Sequence, residues 1–450
     1  MLSGATESMG PRGLSAGPLA LWGKFRKASL RLLFSGVAVK GMEFMSAKPI
    51  GLYVHVPFCD GKCPYCDFYS LRGTPEMMDA YTLRAQETIT DMGAKLGRQA
   101  DTLYLGGGTP SLLGAERLAR LIAAAKAAFG LKNAEITVEV NPGGAVPARP
   151  RPGVRPSGSS GSSLPGQDGD APGGNLREFF GKLKQAGANR LSIGLQSADD
   201  EELRLLGRRH TAADAARAVR DAQDAGFDNI SLDLMLAVRG QTRESLARSM
   251  DFCAGLGVRH VSAYLLQLEP GTAYWKNRAA LCRPGPGCLP DEEAAAALYL
   301  AACRGLRERR YVQYEISNFA EPGYESRHNL KYWNCEEYLG VGPSAHSFIN
   351  GERFHQERGV AAFLRGEGTV SDGPGGGFEE YAMLRLRLAS GLTDAECLAR
   401  FGRLIPERMK KAARRYEARR LTVCTEDGFH FTPEGFLLSD ALTAEILFAE

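Results

Sequence analysis

From Leu52 to Leu266 the chain alternates short β-rich runs with helical runs, and this rhythm constrains its fold more than any other feature. The strand candidates are Leu52–Val56, Thr102–Leu105, Glu135–Val140, Arg190–Leu195, Asn229–Leu234 and His260–Leu266. Helical runs lie between them, over Glu76–Leu96, Ala115–Phe129, Leu176–Ala186, Ala212–Ala225 and Arg243–Leu256. In Ala115–Phe129 the residues Leu118, Leu121, Ile122, Ala125 and Phe129 share one face, and Gly130 stops the helix. Six β-α steps of this kind imply parallel strands joined by right-handed crossovers. The expected fold class is α/β: a partial TIM-type (β/α)6 barrel, two units short of the closed eight. In α/β barrels the active site forms at the C-terminal ends of the strands.

The loop after the first strand carries three thiols. Cys59, Cys63 and Cys66 have the spacing C-x3-C-x2-C within Gly51-Leu-Tyr-Val-His-Val-Pro-Phe-Cys59-Asp-Gly-Lys-Cys63-Pro-Tyr-Cys66-Asp-Phe68. Thiolates are the usual ligands of a [4Fe–4S] cluster, and a closed cluster takes four. Three cysteines with no near fourth leave one iron open, and an open metal position is where chemistry happens. A zinc knuckle, or three structural thiols, are the plainer alternatives. The other cysteines (Cys253, Cys282, Cys288, Cys303, Cys335, Cys397 and Cys424) are scattered. Cys282 and Cys288, which bracket Arg-Pro-Gly-Pro-Gly, read as loop thiols or half of a second metal site. Without a paired extracellular pattern, the cysteines point to a reducing compartment, hence to the cytoplasm.

Further polar residues fall at the ends of the predicted strands. Gly106-Gly-Gly-Thr109 follows the second strand. Glycine lets backbone amides approach a ligand closely, and the helix that follows presents free N–H groups. Glu139 ends the third strand, Gln196 ends the fourth, Asp233 lies at the end of the fifth, and Arg208 follows the fourth on a charged helix. Charges near buried strand ends need partners. Singly they read as caps and surface ion pairs; together, at one mouth, they read as a ligand shell. His55, inside the first strand, reads as a core hydrogen-bonding residue or as a support for the cysteine loop. His328, in His328-Asn-Leu-Lys-Tyr-Trp333, sits among aromatics. An imidazole there is a core residue, or a group that ligates or stacks on a porphyrin.

Outside the barrel, Gly143–Gly174 is crowded with Gly, Pro and Ser. It cannot bury apolar surface and reads as a disordered insertion, with a lid as the alternative. Residues 1–44 form an N-terminal extension in which Leu19–Phe34 is basic and roughly amphipathic. That composition suits an organelle-targeting segment, a membrane-surface helix, or a dispensable tail or wrongly assigned start before Met45. After the barrel (residues 45–290) come a helix, Asp291–Arg310, and a strand, Tyr311–Ile316, in a region ending at 372. Gly373–Gly377 reads as a linker. The remainder, 373–450, offers helices Phe378–Leu388, Thr393–Phe401 and Pro406–Arg419, a hairpin (Leu421–Thr425, Phe429–Thr432) and a last helix, Gly435–Phe448. This is a winged-helix-like α+β domain. No apolar run approaches the roughly 18–20 residues of a membrane span. The net charge of +3 is too small to argue for a nucleic-acid partner, and none is expected, although Pro406–Arg420 is basic.

The stretches Tyr53–Cys59, Gly106–Leu113, Glu139–Pro142, Asn189–Gln196, Leu206–His210, Tyr314–Ala320 and His328–Trp333, in this order, resemble one subfamily of radical S-adenosylmethionine (SAM) proteins. It comprises the oxygen-independent coproporphyrinogen III oxidases and the related haem chaperones called HemW. The resemblance runs from Gly51 to the C-terminus, leaving out residues 1–44 and about 143–174. It implies that Cys59, Cys63 and Cys66 hold a [4Fe–4S] cluster whose open iron chelates SAM. It implies that Tyr53, Gly107, Gly108, Thr109, Glu139, Gln196, Arg208 and Asp233 contact SAM, and it makes His328 the preferred haem contact. The oxidases carry a further cysteine where this chain has Phe68, and an extended N-terminal segment that residues 1–44 do not resemble. The chaperone branch is therefore preferred: binding of haem and its transfer to apo-haemoproteins, with a homodimer among the partners admitted. The alternative is radical decarboxylation of porphyrinogen propionates, or another tetrapyrrole reaction. One departure is Leu236-Ala-Val-Arg-Gly-Gln241, where the family usually has Tyr-Gly-Leu-Pro-Gly-Gln. It puts the loop after Asp233 in question, as the insertion does for the segment behind Glu139.

Overall fold

The computed structural model describes residues 48–143, 176–283, 285 and 287–449. The extension 1–44 and the insertion, apart from Gly143, lie outside them. The strands β1 (Ile50–Val56), β2 (Ala100–Gly107), β3 (Glu135–Val140), β4 (Arg190–Gln196), β5 (Asn229–Leu236) and β6 (His260–Leu265) pair in parallel in that order. Helices Pro75–Leu96, Ala115–Phe129, Leu176–Ala186, Ala212–Asp224 and Arg243–Gly255 connect them. Every residue of β1 is buried, as expected of a parallel strand covered on both faces. The first helix starts where Thr74 accepts a hydrogen bond from the Met77 N–H and Pro75 takes the first helical position. Ala115–Phe129 buries the predicted face.

The sheet continues beyond these six strands. β7 (Val312–Glu315), β8 (Asn318–Ala320), β9 (Tyr338–Val341), β10 (His346–Ile349), β11 (Glu352–Gln356) and β12 (Thr369–Pro374) extend it to the order β12-β11-β10-β9-β1-β2-β3-β4-β5-β6-β8-β7. β9 runs parallel to β1, whereas β8 is antiparallel to β6. The barrel is therefore open, with β12 and β7 at its edges. β12 takes in Gly373 and Pro374, so two residues of the expected linker are strand.

The C-terminal domain has helices Phe378–Arg385, Asp394–Phe401 and Glu407–Arg414. Its three-stranded sheet is ordered β13 (Leu392–Thr393), β15 (Gly428–Phe431), β14 (Thr422–Cys424). The expected last helix is two, Pro433–Leu437 and Ser439–Leu447, with Thr432 capping the first. Arginines dock this domain onto the barrel. Arg385 donates to the Asn334 side chain at 2.6 Å, and Arg400 donates to the carbonyls of Asn334 and Cys335.

Candidate functional site

The loop after β1 is tied shut at its base. Phe58 and Leu71 form a parallel bridge, the Cys59 N–H donates to the Leu71 carbonyl at 2.9 Å, and the Leu71 N–H donates to Pro57 at 2.9 Å. His55 holds it from within the strand. Its Nε2 lies 3.0 Å from the Tyr69 carbonyl, which can only accept, so Nε2 carries the proton. Nδ1 then accepts from the Tyr53 hydroxyl at 2.9 Å. Burial pushes His55 down to about 4, so this neutral tautomer persists at neutral pH. The core and loop-support readings of His55 thus merge.

Within the loop, Cys59, Cys63 and Cys66 are half-buried and free of disulfides. Cys59 Sγ lies 3.1 Å from Thr109 Oγ1, and Arg208 Nη1 lies 3.6 Å from Cys63 Sγ. Together they line a cavity of about 140 Å³ that Asn141 also borders. Arg208 further donates to Asn141 at 3.2 Å and to the Gly194 carbonyl at 3.3 Å. Burial pushes the Cys66 thiol up to about 11; bound iron acts against such a shift, because metal ligation deprotonates thiols. Three free thiols on one loop, one beside a guanidinium, fit an iron–sulfur cluster as donors.

The glycine turn after β2 has a steric purpose. The Gly108 N–H donates to the Val56 carbonyl at 2.8 Å, and the Thr109 N–H donates to Phe58 at 2.7 Å. A Cβ on Gly108 would sit 2.6 Å from the Phe58 carbonyl oxygen, and one on Gly107, at φ 116°, would sit 2.6 Å from His55 Nδ1. The Gly107 N–H is held by Glu139 at 3.0 Å. All three amides are therefore engaged, and these residues shape the wall beside the thiols rather than offering free donors.

Glu139 also accepts from the Tyr104 hydroxyl at 2.8 Å. Burial pushes it up to about 7, with Asp233 adding and the Tyr104 bond opposing. Asp233 is likewise raised by burial, against a hydrogen bond from Ser192 at 3.1 Å. Arg190, 2% exposed, acts as a compensating charge on both carboxylates, and Arg208 acts on Asp233 as well. The Arg190 Nε is buried with no hydrogen-bond partner among the described residues. Tyr104, Arg190 and Ser192 were not singled out from the sequence. A cation opening a largely apolar strand was the available signal. Gln196 ends β4 at φ 70°, at a shift in its register with β5. Tyr53 is buried, its ring 6.3 Å from that of Tyr104.

His328, the expected haem contact, is buried among hydroxyls and aromatic rings. It lies on the helix Arg327–Trp333, 1% exposed, with Nδ1 2.8 Å from Thr102 Oγ1 and Nε2 2.8 Å from the Tyr332 hydroxyl. Its ring stacks on Tyr104 at 5.2 Å. Burial pushes its pKa down to about 3. Both nitrogens are hydrogen-bonded to hydroxyls. The divergent loop after Asp233 is closed regardless: Gln241 accepts from the Ala237 N–H at 2.7 Å and donates to the Met235 carbonyl at 3.0 Å.

Residues 53–149 and 165–253 match the model of the Radical SAM superfamily, and residues 378–438 match that of the HemN C-terminal domain. The heme chaperone HemW of Mycobacterium tuberculosis is 34% identical over 91% of this chain and 98% of its own length. The heme chaperone HemW of Escherichia coli is 31% identical over 89% of this chain and 99% of its own. The solved coproporphyrinogen III oxidase (HemN) of Escherichia coli superposes with a TM-score of 0.70, over 90% of this chain and 91% of that one. Its identity of 19% makes this a likeness of fold. The superfamily implies a [4Fe–4S] cluster and SAM. Among the described residues, no helix is long and apolar enough to cross a membrane. Its thiol loop, open barrel, C-terminal domain and near full-length relatives place the chain in the radical SAM superfamily, among the HemW haem chaperones and HemN-like proteins.

Proposed function

We propose that this chain is a haem chaperone that binds a [4Fe–4S] cluster, SAM and haem and hands haem to apo-haemoproteins. Phe68 carries the reading. The oxidases of the group have a cysteine at this place, whereas here a phenyl ring, 46% exposed, stands two residues after Cys66. The resemblance to proteins named as heme chaperones supports the same branch. Cys59, Cys63 and Cys66 would hold the cluster, and the chemistry it would supply when bound is one-electron reduction of SAM. Arg208 places its guanidinium beside Cys63, and Thr109 brings its hydroxyl to Cys59, so both thiols have polar neighbours facing the cavity. Glu139, Asp233 and Gln196 offer polar groups to SAM, while Tyr53, Gly107 and Gly108 set the shape of the wall.

The test is anaerobic reconstitution with iron and sulfide, followed by a haemin titration read by absorbance. Coproporphyrinogen III with SAM and a reductant is assayed alongside. The expected result is stoichiometric haem binding with no protoporphyrinogen. Decarboxylated product with only non-specific haem association would establish the oxidase reading instead. His328→Ala adds a second readout. Its core placement predicts lower thermal stability with haem stoichiometry kept; a folded variant that loses haem returns His328 to the haem site.

A further inference from the structure

At one edge of the sheet, three short strands bring together His346, His355 and Asp372. His346 opens β10 and lies directly opposite His355 in antiparallel β11, so both imidazoles leave the same face of the ladder. Their rings are 5.0 Å apart and tilted by 33°. Asp372 comes from β12. There Ser371 pairs with Phe354 and Gly373 with Arg353, which makes Asp372 the extra residue of a β-bulge. Bulges re-aim side chains and are over-represented beside functional sites. The Asp372 carboxylate lies 3.3 Å from His346 Nδ1 and 3.0 Å from His355 Nδ1. Its side chain is 1% exposed, whereas the imidazoles keep 26% and 21%. One ligand atom from each residue lies within 4.8 Å of the others.

We propose that His346, His355 and Asp372 bind a divalent transition-metal ion, with zinc as the expected occupant. Two imidazoles and a carboxylate are characteristic zinc donors. Tetrahedral bonds of about 2.0–2.1 Å place ligand atoms roughly 3.3–3.4 Å apart. The observed separations of 3.0 and 3.3 Å need little adjustment to reach that. Three protein ligands leave further positions, and the partial exposure of the imidazoles turns these toward solvent. None of its three residues belongs to the cysteine loop. By joining β10, β11 and β12 it would staple the outer strands of the sheet, since metal affinity for a folded site adds to folding free energy. The competing arrangement is a hydrogen-bonded triad without a metal, which the same separations also suit.

The experiment uses the full chain with its cluster reconstituted, incubated with Zn²⁺ and then desalted. Zinc and iron are counted by plasma mass spectrometry, and the zinc environment is read by X-ray absorption. The expected result is one zinc per chain on nitrogen and oxygen at about 2.0–2.1 Å. That zinc is lost in His355→Ala and in Asp372→Asn while the iron content stays at the wild-type level. Asp372→Asn keeps the side chain's shape, and unchanged circular dichroism there separates loss of zinc from loss of fold. No retained zinc, sulfur scattering at about 2.3 Å, or wild-type zinc in both folded variants would each overturn the assignment.

Discussion

At residue 237 an alanine occupies a backbone with φ 58°. This is the left-handed region, where a Cβ costs roughly 1 kcal/mol or more. Ala237→Gly is expected to stabilise the chain by about 0.5–1 kcal/mol, the relief of strain exceeding the added freedom of the unfolded chain. The measure is a higher urea midpoint at unchanged slope; an unmoved or lower midpoint means the turn has another backbone in solution. His210 supports a second prediction. It is buried, bonded through Nε2 to the Leu195 carbonyl at 3.1 Å, and held down to about 4 by burial and then by Arg208. Below the unfolded value near 6.5 the unfolded chain takes a proton that the folded imidazole refuses. Stability present above pH 6.5 is therefore lost as pH falls toward about 4, by about 2 kcal/mol at pH 5. Glu139 and Glu315, both pushed up to about 7 by burial, act in the opposite sense: the fold favours their protonated forms, which add stability as pH falls from 7 toward 4.5. The whole-protein slope is a contest, so the comparison is with His210→Gln. In that variant the change in unfolding free energy between pH 7 and pH 5 shifts by about 2 kcal/mol in favour of pH 5. An unshifted difference would mean His210 titrates normally in the fold.

At the scale of elements, the cysteine loop and the turn after β2 behave as one unit. Gly108→Ala places a Cβ 2.6 Å from the Phe58 carbonyl oxygen, which drives the loop off β2. Reconstituted iron is expected to fall well below wild type while the thermal melt shifts by only a few degrees; full iron content would show that the loop relaxes freely. The parallel strands β1 to β6 were legible in the sequence because they are largely apolar runs of ordinary strand length, separated from one another by amphipathic helices. β9 to β12 were not. They are only four to six residues long and carry Glu352, Arg353, His355 and Asp372, the composition of an edge rather than of a core. The helix Arg327–Trp333 has seven residues, too few for a periodic signal, and only Ser326 as its cap announces it. The cysteines and strand-end carboxylates could be found because chemistry singles out their types. The placement of His328 could not, since its partner Thr102 lies 226 positions away and burial at that range leaves no local trace.

At the scale of the whole molecule, an open sheet has two edges, each a row of unpaired N–H and C=O groups that can template another chain. Beyond β12 the chain protects itself locally, with the bulge at Asp372 and with Pro374, which has no N–H to offer. The β7 edge is covered by the C-terminal domain. Glu315 bridges to Leu388, the Ile316 N–H donates to Arg387 at 3.0 Å, and the Ala389 N–H donates to Tyr314 at 3.0 Å. The buried Arg387 guanidinium is in turn paired with Asp440. A chain ending at residue 377 is expected to self-associate, seen as large species by light scattering during size exclusion. A monodisperse truncated monomer would show that β7 needs no cover. The residues that close this edge are made after every strand of the sheet they cover. Until the stretch around Arg387–Ala389 has been added, the barrel strands are already available for pairing and one flank stays open. The dangerous interval for this protein is therefore a matter of timing: its exposure to neighbouring nascent chains ends only when the C-terminal domain emerges and docks.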